Sequence, residues 1–357
     1  MKWVARMGNE LVLVTGGSGF LGAHCIVRLL ADGYRVRTTI RSLDRAEEVR
    51  ALVRRGGGAP SANLSFVAAE LTDDAGWPAA VDGVDYVLHT ASPFPPTMPK
   101  DEDELIVPAR EGTLRVLGAA RAANVRRVVV TSSFAAIGYG GPDRDRPYTE
   151  EDWTNPDSPV SAYIKSKTLA ERAAWDFMDD GDGSGSAMEL AVVNPVGIFG
   201  PALGPRLSSS VQIVQRFMNG DVPGLPKVSS GIVDVRDVAS LHVLAMVSTE
   251  AAGQRFLASA GDSMSMAEIA RTLRDRLGTD AAKVPTRVLP DLLVRAVAIF
   301  NKSLAEEVVP RLGEVKHLSN EKARRVLGWA PLSNEDALVA TAQSLLDLGL
   351  VGTGGTK

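Results

Sequence analysis

The chain is predicted to be an α/β protein, a doubly wound parallel sheet with a smaller, interleaved C-terminal lobe. Three observations predict it. Short apolar runs alternate with helical stretches through the first half, the pattern of a parallel sheet covered by helices on both faces. A glycine-rich turn follows the first apolar run directly and leads into a helical pattern. Beyond Pro195 the alternation gives way to a loop-rich stretch punctuated by Pro201, Pro205, Pro223 and Pro226, before a strand-and-helix pattern returns over 232–247.

In chain order, strands are expected at 11–14, 34–40, 64–67, 86–88, 128–131 and 190–193, with helices filling most of the intervals. Residues 264–277 and 290–309 read as amphipathic helices. The second carries Leu292, Leu293, Ala296, Val297 and Phe300 at helical spacing, a stripe expected to pack into the core. Gly181 to Ser186 reads as a flexible surface turn. The organisation that follows is a dinucleotide-binding domain over 1–195, with 227–260 returning to it, a substrate lobe over 196–226 and 261–349, and a flexible tail over 350–357.

Composition narrows the chemistry. With 357 residues and 45% hydrophobic content, the chain can bury a core large enough for two lobes. A net charge of −4 with no basic run argues against nucleic-acid or membrane-surface partners, leaving small metabolites. Cys25 is the only cysteine, which excludes an intramolecular disulfide and a thiolate metal cluster. His24, His89, His242 and His317 show no ligand spacing, so no metal is expected. Residues 1–9 lack the apolar core of a signal peptide and no uncharged apolar run reaches spanning length. The expected location is the cytoplasm, as a monomer or homodimer.

The turn after the first strand reads Thr15-Gly16-Gly17-Ser18-Gly19-Phe20-Leu21-Gly22. Gly16 and Gly17 permit the tight turn, Gly19 lets backbone approach a pyrophosphate, and Gly22 allows close helix packing. The helix N-terminus then faces the anion, the arrangement of a Rossmann dinucleotide site. Where an NAD-preferring site carries an acid at the end of the second strand, this chain has Arg41. An acid repels a 2′-phosphate, whereas the guanidinium offers it a planar fork of donors, so NADP(H) is the expected cofactor, with Arg45 a turn later as second contact.

Tyr163 and Lys167 stand four residues apart in an expected helix and so share a face. A neighbouring ammonium favours the phenolate and is expected to make the hydroxyl a better proton donor, which a carbonyl undergoing reduction requires. Ser133, thirty residues earlier at the end of a strand, could hydrogen-bond the same carbonyl oxygen.

With these parts together, the chain resembles the extended short-chain dehydrogenase/reductase family, in its dihydroflavonol reductase-like and cinnamoyl-CoA reductase-like branch. The resemblance rests on the glycine loop, Leu88-His89-Thr90-Ala91-Ser92-Pro93, Glu111-Gly112-Thr113, Thr131-Ser132-Ser133 and the stretch from Tyr163 through Lys167 to Glu171. It continues in Asn194-Pro195, Val233 to Ala239 and Glu321 to Trp329. It implies Tyr163 as proton donor, Ser133 as the residue orienting the substrate oxygen, and Lys167 as the holder of the nicotinamide ribose. It also implies cofactor contacts from Thr90, Ala91, Ser92 and Thr131, from Pro195, Val196 and Ile198 near the carboxamide, and from Glu70 and Leu71 near the adenine. His89 is expected to support the loop beside the cofactor, and Asp237 to be a hydrogen-bonding partner.

The chain departs from the branch at Gly138, where plant dihydroflavonol reductases carry a flavonoid-contacting Asn, and at Glu70, where Asp is common. Gly138 argues against a true dihydroflavonol substrate. Phe199, Leu203, Leu207 and Phe217 make 198–226 apolar, suggesting an apolar or aryl aldehyde or ketone. The alternatives are a nucleotide-sugar epimerase or dehydratase holding NAD, a hydroxysteroid dehydrogenase, and a non-enzymatic NADP-sensing protein.

Overall fold

A computed structural model describes residues 10–60, 62–93, 101–141, 145–180, 187–301 and 304–352. The turn expected at 181–186, the segment 1–9 and the last five tail residues lie outside the described residues.

The strands of the first half are β1 (Leu11–Thr15), β2 (Arg35–Ile40), β3 (Leu64–Ala68), β4 (Tyr86–His89), β5 (Arg127–Thr131) and β6 (Glu189–Pro195). Then come the short β7 (Gly197–Phe199), β8 (Ser229–Ser230) and β9 (Ile232–Asp234), followed by β10 (Gln254–Ala258) and β11 (Met264–Ser265). Seven of them form one parallel sheet in the order β10-β6-β5-β4-β1-β2-β3. All six expected strands are in it. The seventh, β10, lies in the returning segment, while the stretch at 232 instead pairs β9 with β7 in a separate two-stranded parallel sheet.

The helices are α1 (Phe20–Ala31), α2 (Ala46–Arg55), α3 (Trp77–Val81), α4 (Asp103–Ala122), α5 (Ala162–Asp179), α6 (Ser209–Asn219), α7 (Val235–Val247), α8 (Met266–Leu277), α9 (Asp291–Ala298), α10 (Glu321–Leu327) and α11 (Asn334–Asp347). β1 shows why the sheet has two covered faces. Its alternate residues Val12 and Val14 join one apolar cluster with Cys25 and Ile26 of α1 and Val238 of α7. Leu11 and Leu13 join the opposite cluster with Trp77 of α3, Val116 of α4 and Ala174 of α5.

A third cluster is built from other parts of the chain: Phe199, Val214 and Phe217 with Ile269 and Leu273 of α8 and Leu338 and Leu345 of α11. Phe199, Leu203 and Phe217 are buried at 1%, 6% and 3% exposure, so the apolar residues read as a pocket wall are core residues instead. The loop-rich stretch also contains α6, started by Ser208 accepting the Val211 N–H and stopped by Gly220 at φ 78°. Within 261–349, Ala323 and Trp329 belong to the core against the sheet, and the Trp329 indole donates to the Asp237 carbonyl at 3.0 Å.

The helix expected over 290–309 is interrupted. α9 ends at Ala298, Asn301 Oδ1 accepts the Leu304 N–H, and the chain forms a π turn at Leu304–Val308 and a 3₁₀ turn at Val309–Arg311. The stripe expected in the core is largely outside: Leu292 is 83% and Phe300 92% exposed. Periodicity showed that this segment has an apolar face, not that anything covers it.

Candidate active site

The sheet order reverses between β1 and β4, and ligands of such sheets bind outside the carboxyl ends of the strands at that crevice. β1 ends at Thr15 and runs straight into the glycine turn. Gly16 has φ 70°, and a Cβ there would lie 3.1 Å from Ala91, so the turn needs both the conformation and the missing side chain. A Cβ on Gly22 would meet the Gly16 carbonyl at 2.5 Å, and one on Gly17 the Thr38 hydroxyl at 2.1 Å. Gly19 caps α1 without a side-chain hydrogen bond, and the first turn holds no acid. The first N–H groups of α1, on Phe20, Leu21 and Gly22, meet no competing side-chain cap, so the positive end of the helix dipole suits a pyrophosphate. The chain therefore fits a dinucleotide.

Threonine hydroxyls pin the turn to β4. Thr90 Oγ donates to the Thr15 carbonyl at 2.7 Å, the Ala91 N–H donates to Thr15 Oγ at 3.0 Å, and Thr15 Oγ pairs with His89 Nδ1 at 2.9 Å. Burial pushes His89 down to about 3, so its imidazole is neutral and serves as a brace, as expected.

At the second strand's end Arg41 is exposed, and among the described residues it has no hydrogen bond or ion pair. Its guanidinium is free for a ligand. Arg45 is committed instead: Nε and Nη2 donate to Glu48 at 2.9 and 3.3 Å, and Glu48 also pairs with Arg206 at 3.3 Å. The Glu70 side chain is exposed, its carbonyl accepts the Trp77 indole N–H at 3.0 Å, and Leu71 packs where a Gly112 Cβ would stand at 2.9 Å. Glycine at 112 thus lets α4 approach this strand end.

α5 begins at Ser161, whose hydroxyl accepts the Ile164 N–H, and it presents Tyr163, Lys167 and Glu171 at successive four-residue steps. The Tyr163 hydroxyl is hydrogen-bonded to Ser133, and the ring keeps 37% of its surface open. Ser133 Oγ also accepts the Ala135 N–H at 3.1 Å, which fixes its rotamer at the end of β5. Desolvation holds the Tyr163 phenol above the ordinary tyrosine range, and the Ser133 hydroxyl is what opposes that rise. The expectation that Lys167 lowers the phenol is corrected. Lys167 Nζ donates to Ser92 Oγ at 3.0 Å, and burial brings the ammonium down to about 8, opposed by Glu171.

The Thr131 hydroxyl is used inside the protein. His242 Nδ1 donates to the Val238 carbonyl at 2.8 Å, so Nε2 accepts from Thr131 Oγ at 2.7 Å, and the side chain offered as a cofactor contact braces α7 instead. Pro195 ends β6, the Val196 N–H donates to the Ala258 carbonyl at 3.1 Å, and Ile198 lies in β7, placing all three at the sheet's carboxyl edge. Gly138 has a steric reason: a Cβ there would lie 2.1 Å from the Phe134 ring, next to Ser133. Asp237 Oδ2 accepts the Leu332 N–H at 2.7 Å, as expected of a structural partner. The polar groups under Ser133, namely Ser132, Asn194, Glu171 and Arg255, were given no role from sequence. Their signal was the placement of Glu171 one turn after Lys167.

Residues 12–258 match the model of the NAD dependent epimerase/dehydratase family. The chain belongs to this family. Within the extended short-chain dehydrogenases/reductases it falls in the dihydroflavonol reductase-like branch. It is 35% identical to a cinnamoyl-CoA reductase of Medicago truncatula over 76% of this chain and 82% of that protein. It is 34% identical to the NADPH-dependent methylglyoxal reductase of Saccharomyces cerevisiae over 70% of this chain and 77% of that one. The crystal structure of the yeast methylglyoxal/isovaleraldehyde reductase complexed with NADPH superposes with a TM-score of 0.78 at 27% identity, covering 96% of this chain and all of that one. Among the described residues no helix is long and apolar enough to cross a membrane, and no group of three or more His, Cys, Asp or Glu could hold a metal ion.

Proposed function

We propose that the protein is an NADPH-dependent carbonyl reductase that converts an apolar or aryl aldehyde or ketone into an alcohol, with Tyr163 as the proton donor. The observation that carries this reading is the Ser133 to Tyr163 hydrogen bond, set at the carboxyl edge of the sheet. When bound, NADPH supplies the hydride. The chain supplies everything else. The α1 N-terminus and its glycine turn hold the pyrophosphate, Arg41 the 2′-phosphate, and Lys167 the nicotinamide ribose. The segments 196–226 and 261–349 are proposed to wall the substrate side.

In this reading Ser133 donates to the carbonyl oxygen and Tyr163 delivers its proton there as charge develops. A phenol held above its ordinary range is fully protonated at neutral pH, so the acid is loaded when reduction begins. The apolar character of the substrate is supported by the partly buried Tyr139, Tyr148 and Val196, which pack on the buried Phe134, Ile137, Leu257 and Leu318 beside Ser133. The Phe199 group, buried elsewhere, lends it nothing.

The direct test is a panel of aryl aldehydes, ketones and diketones followed by NADPH absorbance, with NADH in parallel. Consumption of NADPH by none of them ends the reading. Cofactor choice is tested separately with Arg41→Asp. Loss of one charge-assisted contact is worth about 2 kcal/mol, so NADPH affinity should fall about thirtyfold while NADH affinity holds or rises. Equal affinities before and after the change would remove Arg41 from the site.

A further inference from the structure

We propose that Glu171 is a positioning residue for the reduction: its buried carboxylate ties Ser133, Lys167 and Tyr163 into one rigid unit without touching the substrate. The inference rests on reading those three residues as the reductive site.

Glu171 is 1% exposed and its oxygens are fully engaged. Oε2 accepts from Ser132 Oγ at 2.5 Å and from Asn194 Nδ2 at 2.7 Å. Oε1 accepts from Arg255 Nε at 2.5 Å and from the Trp175 indole at 3.4 Å. Three separate elements therefore meet on one side chain. Ser132 is the residue before Ser133, and Asn194 Nδ2 also donates to the Ser133 carbonyl at 3.3 Å, so the carboxylate fixes the strand end that carries the orienting hydroxyl. Glu171 itself belongs to α5, one turn beyond Lys167 and two beyond Tyr163. Moving Ser133 relative to Tyr163 requires breaking a buried, charge-assisted network.

The far side of the network is anchored as firmly. Arg255 Nη1 donates to the Glu150 and Asp152 carbonyls at 2.7 and 3.0 Å, and its guanidinium lies 3.7 Å over the Trp153 ring. Glu150 in turn accepts the Leu257 N–H at 2.7 Å, joining the pair to β10. The site's geometry is thereby referred to the sheet edge rather than to a surface loop.

The same carboxylate acts on Lys167 through space. The two line one cavity of about 20 Å³, room for about one water. Facing Lys167 in that cavity are His89 and Ser92 from β4 and the loop after it, Thr113 from α4, and Thr131 and Ser132 from the end of β5. His89 is neutral. Among the described residues Glu171 is thus the anion on this wall, and it keeps Lys167 an ammonium against the burial that brings it to about 8.

The experiment follows NADPH affinity by fluorescence, and turnover where a substrate is found, from about pH 6 to pH 10 in the wild type, Glu171→Gln and Glu171→Asp. Wild type should lose affinity and turnover as pH rises through the Lys167 titration near 8. In Glu171→Gln the midpoint should fall by on the order of one pH unit, with kcat reduced more than KM is raised. Glu171→Asp, which keeps the charge, should return the midpoint towards that of wild type. Should Glu171→Gln not fold because Arg255 is left buried and unpaired, Glu171→Gln combined with Arg255→Gln removes both charges and carries the same expectation. An alkaline limb absent from wild type, or one unmoved in the variants, overturns the proposal. NADPH binding without any carbonyl reduction would overturn the reductase reading instead, and the binding midpoint would still report on Glu171.

Discussion

Tyr163→Phe should lower turnover by on the order of 10²- to 10⁴-fold while NADPH affinity stays within about threefold. The substitution removes one oxygen and leaves the ring, which packs at the open end of α5 with 37% of its surface exposed, so no cavity forms. What disappears is the proton that neutralises the developing alkoxide. A loss of about 3 to 5 kcal/mol in transition-state stabilisation is the size expected for a positioned general acid. The loss should fall on kcat, because the phenol's contribution is realised only as charge develops. Stopped-flow measurement of hydride transfer, with cofactor affinity measured separately, distinguishes the cases. Turnover within tenfold of wild type would show that another group protonates the product. Ser133 is the group to suspect then, since it shares the hydrogen bond.

The parts of this site that could be read from sequence are those governed by backbone order. A glycine turn directly between an apolar strand and a helix leaves few conformations, and Gly16, Gly19 and Gly22 sit where the steric argument requires. The six strands of the first half were legible because each is built on a short apolar run; β1, β4, β5 and β6 are buried almost throughout, whereas β3 at the sheet edge is partly open. Side-chain commitments were not legible. Nothing in the string Arg41-Ser42-Leu43-Asp44-Arg45 says that one arginine is free and the other is held by Glu48, three residues on. Thr131 ends a strand like any ligand-facing threonine, yet His242, distant in sequence, accepts its hydrogen bond. The stripe on α9 and the apolar residues near Phe199 show the complementary failure. Hydrophobic periodicity reports a face, and whether that face meets core or solvent depends on partners elsewhere in the chain.

Acid should destabilise the folded protein in a window set by three histidines, well above the range where ordinary carboxylates titrate. Burial lowers His24 to about 4, His89 to about 3 and His242 to about 4, from an unfolded value of 6.5. Between those values the unfolded chain binds more protons than the folded one, so unfolding free energy falls as pH falls. The stability is fully present above pH 6.5 and is lost progressively towards 4, and towards 3 for His89. Each imidazole contributes about 1 kcal/mol of loss between roughly pH 7 and 5.5, or about 3 to 4 kcal/mol together, a large share of a typical 5 to 15. Glu150 and Asp237, whose carboxyls are raised by burial, work in the opposite direction. Urea unfolding at about pH 7 and 5.5 measures the difference, and equal free energies would mean that the imidazoles are hydrated or can be charged in place. The three side chains also brace the site: His89 holds Thr15 behind the phosphate turn, His242 holds Thr131 at the end of β5, and His24 donates to the Pro201 carbonyl at 2.9 Å. A dinucleotide that binds only the folded form adds about 2.7 kcal/mol at a hundred times its Kd. Saturating NADPH should therefore move the acid transition to lower pH, and a transition unmoved by the cofactor would separate the braces from the binding site.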